Sequence, residues 1–462
     1  MMKNSGRNLP AGPLLAWYGD DFTGAAAVME VLSFAGLPSI LFLEPPSESQ
    51  LARFPKLSGI GVASTARSQT PQWMDTELPD VFAQLKALDP QILHYKVCST
   101  LDSSPQTGSI GRAIEIATDI CESDMVPILI AAPQMRRYQC FGHLFAGMND
   151  QVYRLDRHPV MAHHPVTPME ESDVARHIAK QSDRLDVDCI SLEELQSENP
   201  RVTPAPDTEP GRISARTIDS VNADSERAAG RLIWENRKHN RFVVGSQGVE
   251  YALVRYWQHM GLLEPVDPAP NIGRSRHLVV VSGSVSPTTA QQIAWSGNNG
   301  FACIQFDAAS ACQNDNAMAE EADRCVAQAM QAISENRDPL IYTAAGPDDP
   351  AVDRFLSFIS SSSLEKSQAN QMIGISLGEI LQRILTQSSA RRAVVSGGDT
   401  SGYATRRLGI FALSALAPTI PGAALFKAHA DGPMDGLELA LKGGQMGSED
   451  YFGWIRDGGG IR

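Results

Sequence analysis

The sequence predicts an α/β protein of two lobes, each a largely parallel sheet flanked by helices. Three observations lead there. Short, continuously apolar runs alternate with helical stretches through both halves of the chain, and strands apolar throughout are those buried on both faces by covering helices. The alternation breaks over a Pro-rich, poorly periodic stretch that includes Glu264-Pro265-Val266-Asp267-Pro268-Ala269-Pro270, and then restarts. A length of 462 residues also favours two domains over one. The expected division is residues 1–260, a linker at 261–276, and 277–462.

Taken in order, the first apolar strand is Leu14–Tyr18, which runs into Gly19-Asp20-Asp21-Phe22-Thr23-Gly24 and then a small-residue helix, Ala25–Glu30. Ser39–Leu43, Gly59–Ala63, Ile92–Val97 and Val126–Ile130 continue the series, with a helix around Phe82–Leu88. Arg241–Gly245 ends at Ser246-Gln247-Gly248, and a helix follows. The Pro-rich segment from Asn199 to Pro210 reads as a surface loop within the first lobe. Beyond the linker, strands are expected at Leu278–Val281, Pro339–Thr343 and Arg392–Ser396.

Composition narrows the function. There are 53 acidic against 39 basic residues, a net charge of −14, which disfavours nucleic acid and anionic membrane because their phosphates would not be neutralised. The seven cysteines lack paired metal spacing and suit free thiols in a reducing cytoplasm. No apolar leader or span-length run is evident, so the expectation is a soluble cytoplasmic protein. Homo-oligomerisation is left open.

The residues that carry chemistry lie at strand ends. In open α/β sheets ligands bind where strand carboxyl ends meet helix N-termini, and there Asp20 and Asp21 can accept substrate hydroxyls, take a proton or hold Mg²⁺. One carboxylate suffices as a helix cap; two ask for a further role. Arg67-Ser68, Lys96 with Ser99-Thr100, and Arg136-Arg137 follow later strands. Together they suit an anionic, hydroxylated substrate, since an Arg fork grips a carboxylate and a Lys supplies a compact charge.

The second lobe has three glycine-rich turns. They are Ser282-Gly283-Ser284-Val285-Ser286-Pro287, Ser396-Gly397-Gly398-Asp399-Thr400-Ser401-Gly402 and Lys442-Gly443-Gly444-Gln445-Met446-Gly447. Glycines bring backbone N–H groups close to a phosphate, and helix starts add positive potential. Ser284, Ser286, Thr400 and Ser401 offer hydroxyls, and Asp399 can hold a hydrated Mg²⁺. There is no G-x-x-x-x-G-K-[ST] and no dinucleotide fingerprint. A phosphate-binding lobe thus stands beside an acid-binding lobe, with an active site expected in the cleft between them. His163-His164 reads as loop surface.

Together these stretches resemble the four-carbon acid sugar kinase family over nearly the whole chain. The resemblance implies an ATP-dependent kinase, a phosphotransferase to an alcohol group. Its substrates would be tetronates or 3-oxo-tetronates. Asp20, Asp21, Arg67 and Lys96 would contact substrate; Ser284, the Gly397–Ser401 turn and Gly444 would contact ATP; and Mg²⁺ would be carried mainly by ATP. Many relatives carry Lys-x-Asp-Ser-Thr-x-Arg-Gly-Asn after the fourth strand, where this chain has Cys98 for the Asp and Asp102 for the Arg. With the Phe22 turn, this is more similar to a divergent branch that includes kinases of 3-oxo-isoapionate, a branched five-carbon acid. The competing expectations are a sensor that binds the acid without turnover, and a sugar-acid dehydrogenase, which the missing fingerprint disfavours.

Overall fold

The structure of the protein, a computed structural model, describes residues 8–121, 123–197, 200, 211–267 and 271–462. Apart from Pro200, the expected loop from Asn199 to Pro210 lies outside them, as do three residues of the Pro-rich stretch. The chain forms two compact units, Met1–Val266 and Asp267–Arg462.

The first unit is built on β1 (Leu15–Gly19), β2 (Ser39–Phe42), β3 (Gly59–Ala63), β4 (Ile92–Lys96) and β5 (Val126–Leu129). A small antiparallel sheet follows, of β6 (Arg137–Cys140), β7 (His143–Met148) and β8 (Gln151–Arg154). Strands β9 (Leu185–Ile190), β10 (Ile213–Ile218) and β11 (Phe242–Gly245) then complete the main sheet. Its order is β2-β3-β1-β4-β11-β5-β10-β9, with every pair parallel.

Every residue of β1 is buried, which explains its uninterrupted apolar sequence. Trp17 fits because Gly61 on β3 has no side chain: a Cβ there would stand 2.1 Å from the indole. Its Nε1 donates to the Ala25 carbonyl at 3.1 Å, tying the strand to the helix that follows. Across the sheet Phe82 meets Tyr18, Tyr95 and Phe242 edge-on, with centroids 6.0, 5.9 and 6.0 Å apart. Such aromatic contacts add stability beyond the area they bury.

The second unit carries β12 (Leu278–Ser282), β13 (Phe301–Gln305), β14 (Asp338–Tyr342) and β15 (Arg392–Ser396), then β16 (Ile410–Ala417), β17 (Leu425–Ala430) and β18 (Glu438–Lys442). The order is β13-β14-β12-β15-β18-β17-β16. The strands from β13 to β18 in that order run parallel, while β17 is antiparallel to both of its neighbours. Leu278, Val280, Phe301, Leu340, Val394, Leu425, Tyr451 and Phe452 are fully buried in its core.

Both units open with one local order, in which the first strand lies between the third and the fourth. The chain leaves the first strand toward one side of the sheet and reaches the fourth on the other. The loops after these two strands therefore diverge, and the crevice between them is the topological switch point where such sheets bind ligands.

Candidate functional site

In the first unit the switch point lies between β1 and β4. The Asp20 N–H donates to the Lys96 carbonyl at 2.9 Å, fixing the two loops together. Asp21 caps the helix Phe22–Phe34, its Oδ1 accepting the Gly24 N–H at 2.8 Å. The loop after β3 makes a 3-10 turn, Ala66–Ser68, which delivers Arg67 to both carboxylates. Arg67 reaches Asp20 through Nε at 3.2 Å and Nη2 at 2.6 Å. It reaches Asp21 through Nη1 at 2.7 Å and Nη2 at 2.8 Å.

The two carboxylates differ in access: the Asp20 side chain is 5% exposed and that of Asp21 is 28% exposed. Burial, opposed by Arg67 and aided by the charge of Asp21, raises the Asp20 carboxyl above its ordinary value. Burial also works against the charge of Arg67, yet the carboxylates hold that guanidinium well above its usual value. Arg67 is thus largely engaged in holding the pair, and Asp21 is the more exposed of the two carboxylates.

Lys96 ends β4 and is buried, with Nζ donating to the Val97 carbonyl at 2.7 Å. A Cβ on Gly24 would stand 2.6 Å from that ammonium and 2.5 Å from Asp21 Oδ1. The glycine of the Thr-Gly turn is there because a carboxylate and a cation converge on it. Ser99 and Thr100 are buried, whereas Ser68 is exposed and turns its hydroxyl to the Thr65 carbonyl.

The stretch that departs from the family pattern forms a polar row. Cys98 Sγ lies 3.0 Å from Thr100 Oγ1, which donates to Asp102 Oδ1 at 2.8 Å. Burial, with Asp102 adding, pushes the Cys98 thiol up to about 11, so it is neutral at physiological pH. Leu101 within the row takes a left-handed φ of 56°, a strained conformation for a branched side chain. It is held from behind: Ser103 Oγ donates to the Leu101 carbonyl at 3.0 Å, and Gln181 Nε2 donates to Ser103 Oγ at 2.9 Å. His177 Nε2 completes this support 3.0 Å from Ser103 Oγ, and burial lowers its pKa to about 4.

Arg137 begins β6 and is half-buried. Its Nη1 donates to the carbonyls of Met135, Arg136 and Gly147 at 3.1, 3.3 and 3.2 Å. Its Nε is buried without a hydrogen-bond partner among the described residues. Burial lowers its pKa, while Cys98 and Asp102 act on it electrostatically in the opposite sense. Cys98 in turn feels Arg67 and Asp20, so these groups share one end of the sheet.

The Gly245-Ser246-Gln247-Gly248 turn has a packing role. Ser246 Oγ donates to the Ile130 carbonyl at 2.8 Å and accepts the Gly248 N–H at 2.9 Å. The expectation of loop surface at His163-His164 is met: His163 is exposed, and His164 Nδ1 accepts the Thr167 N–H at 3.1 Å.

In the second unit the three glycine-rich turns meet at the switch point between β12 and β15. The Gly283 N–H donates to the Ser396 carbonyl at 3.0 Å, and the Gly397 N–H to the Lys442 carbonyl at 2.9 Å. Gly397 has φ 125°, a backbone that disfavours any side chain. A Cβ on Gly444 would stand 2.3 Å from Ser284 Oγ.

The turns wall one side of a cavity of about 430 Å³, through Gly283, Ser284, Gly397, Gly398, Thr400 and Gly444. The lining also includes the apolar Val352, Phe355, Leu356 and Ile373, together with Lys366 and Asn370. Ser286 stands behind the wall as the N-cap of the helix Pro287–Gly297, its Oγ donating to the Gly444 carbonyl at 2.5 Å. Ser401 is buried and returns its hydroxyl to the Gly397 carbonyl at 2.8 Å. Asp399 lies in the first turn of the helix Gly398–Arg407.

The apolar part of the lining lies outside the glycine-rich motifs of the sequence. Its signal was the amphipathic segment Pro350–Ser361, which forms a helix with no fully buried residue. A lining that combines glycine-rich turns at helix starts with apolar side chains suits a ligand with phosphates at one end and a flat ring at the other.

A domain family described as a sugar-binding N-terminal domain matches residues 15–253, and one described as a nucleotide-binding C-terminal domain matches 279–452. A 3-oxo-isoapionate kinase of Paraburkholderia graminis is 42% identical, over 97% of this chain and 95% of its own. A 3-oxo-tetronate kinase of Pseudomonas savastanoi pv. phaseolicola is 28% identical, over 96% of each chain. In fold, a Salmonella typhimurium LT2 crystal structure matches with a TM-score of 0.74 at 23% identity, covering 96% of this chain and 98% of its own. A Haemophilus influenzae structure of the DUF1537 family matches at 0.71 and 21% identity, covering 96% and 99%. With both domain families in sequence and a curated acid-sugar kinase aligned along almost its whole length, the chain belongs to the four-carbon acid sugar kinase family.

Proposed function

We propose that this ATP-dependent acid-sugar kinase acts on a branched five-carbon 3-oxo acid of the 3-oxo-isoapionate type in preference to the four-carbon 3-oxo-tetronates. The observation that carries the reading is Arg137, a half-buried guanidinium with an unpartnered Nε beside the row Cys98–Thr100–Asp102. A carboxylate ligand satisfies that guanidinium, and the row offers hydrogen bonds to a polar branch. The relative that is 42% identical acts, by its name, on 3-oxo-isoapionate, whereas the one at 28% is a 3-oxo-tetronate kinase.

In this mechanism Arg137 holds the substrate carboxylate and Lys96 adds positive potential. Asp21, the more exposed carboxylate, receives the proton of the attacking hydroxyl, while Asp20 and Arg67 fix its orientation. The cavity of the second unit fits ATP: its glycine turns offer backbone N–H groups to the phosphates and its apolar wall takes the base. ATP, when bound, supplies the phosphoryl group and the Mg²⁺ on its phosphates, with Asp399 the carboxylate proposed for a water of that ion. Positioning and charge neutralisation carry most of such a transfer. Residence in the cytoplasm belongs to the same reading; among the described residues no helix is long and apolar enough to cross a membrane.

The test is ADP release with Mg-ATP and 3-oxo-isoapionate, both 3-oxo-tetronates, D-threonate and D-erythronate. The branched acid should exceed the others in kcat/KM by about tenfold or more, the scale on which a pocket discriminates one carbon group. A 3-oxo-tetronate turned over faster would overturn the assignment.

A further inference from the structure

Lys442 ends β18 with its side chain directed into the protein, and the residue is 1% exposed. Its Nζ donates to Ser396 Oγ at 3.0 Å and to the Gly443 carbonyl at 3.0 Å, with Thr289 Oγ1 at 3.5 Å. Those three partners belong to the three separate segments that carry the glycine-rich turns. Ser396 closes β15 just before Gly397, Gly443 precedes Gly444, and Thr289 sits in the helix behind Ser284. From Thr289 the contacts continue to the cavity wall, since its Oγ1 donates to Ser284 Oγ at 3.0 Å.

No carboxylate stands within ion-pair distance of this ammonium among the described side chains. Its other neighbour is the Phe452 ring, with the centroid 5.9 Å away. A buried ammonium without a counter-ion is costly. Burial accordingly lowers its pKa to about 8. An anionic ligand at the neighbouring turns would supply the counter-charge that this ammonium lacks among the described side chains.

We propose that Lys442 is a positioning residue whose buried charge is completed by the phosphates of the bound nucleotide and which locks the three glycine turns into their phosphate-binding geometry. The proposal rests on the reading of this cavity as the ATP site. Acting through Ser284, Thr289 and Ser396 as well as through its field, Lys442 serves the phosphate end of the cavity and leaves the apolar wall for the base untouched.

The test compares Mg-ATP, adenosine and inorganic tripolyphosphate as ligands of the wild type and of Lys442→Met, which removes the charge and keeps the chain length. Wild-type binding of adenosine and Mg-ATP checks the cavity itself; binding of neither would overturn that reading and this proposal with it. In Lys442→Met, the Mg-ATP dissociation constant should rise about tenfold or more with adenosine affinity within about twofold, a selective loss of a charge-assisted contact. Tripolyphosphate should cease to protect the variant against thermal unfolding. Equal loss of adenosine and ATP, or unchanged ATP affinity, would overturn the proposal. If Lys442→Met does not fold, the wild type decides. The ε-carbon resonance of Lys442 should report a pKa raised by tripolyphosphate, and a pKa that the anion does not move would be equally fatal.

Discussion

Among single residues, the arginines of the first unit divide the work. Arg67 and Arg137 look interchangeable as sequence, each a cation after a strand. In the structure Arg67 spends four N–H contacts on Asp20 and Asp21, while Arg137 keeps a buried Nε without a partner among the described residues. Losing a guanidinium that pairs with a desolvated carboxylate costs on the order of 2 kcal/mol or more, about 30-fold. Arg137→Ala should therefore raise the KM for the acid by about that factor and leave the KM for ATP unchanged. Steady-state kinetics with each substrate varied in turn will read this directly. An ATP KM that rises equally would mean that Arg137 supports the fold and does not bind the acid.

At the scale of elements, the cavity of the second unit, proposed as the ATP site, depends on how closely three turns approach. Gly444 faces Ser284 so tightly that a Cβ would stand 2.3 Å from its Oγ. Gly444→Val must push the first and third turns apart, an overpacking of about 1–3 kcal/mol. Its expected effect is an ATP KM about tenfold or more above the wild type, with binding of the acid intact by calorimetric titration. Loss of both would show that the turn is needed for folding. These elements were unevenly legible in sequence. Strands β1, β3 and β15 announced themselves as apolar runs, whereas β9 and β10, with sequences Leu-Asp-Val-Asp-Cys-Ile and Ile-Ser-Ala-Arg-Thr-Ile, did not. Arg216 of β10 is buried because Asp188 and Glu194 pair with it at 2.5 and 2.9 Å, a compensation that hydropathy cannot display. Likewise β16 and β17 close their sheet as an antiparallel meander, which needs no crossover helix to signal it.

For the whole molecule, the division into two compact units has a thermodynamic consequence. A ligand that binds one folded unit stabilises that unit, by about 2.7 kcal/mol at a concentration 100 times its dissociation constant. Scanning calorimetry should resolve two transitions, one moved up by Mg-ATP and the other by the acid substrate. Equal displacement of the whole profile by either ligand would show instead that the units unfold as one.

The sequence by itself determined the α/β class, the two lobes and the family, because apolar periodicity and glycine-rich strand-to-helix turns are local properties written in consecutive residues. It also put charged and hydroxyl side chains at the strand ends. What those side chains do was decided by tertiary structure. That Arg67 clasps two aspartates, that Arg137 buries an Nε with no partner among the described residues, that Val352, Phe355 and Ile373 line a cavity with the glycine turns, and that Lys442 is buried with no carboxylate at ion-pair distance among the described side chains all depend on distant segments. Strands far apart in sequence are neighbours in the sheet, and ion pairing and desolvation act only between groups that this topology brings together.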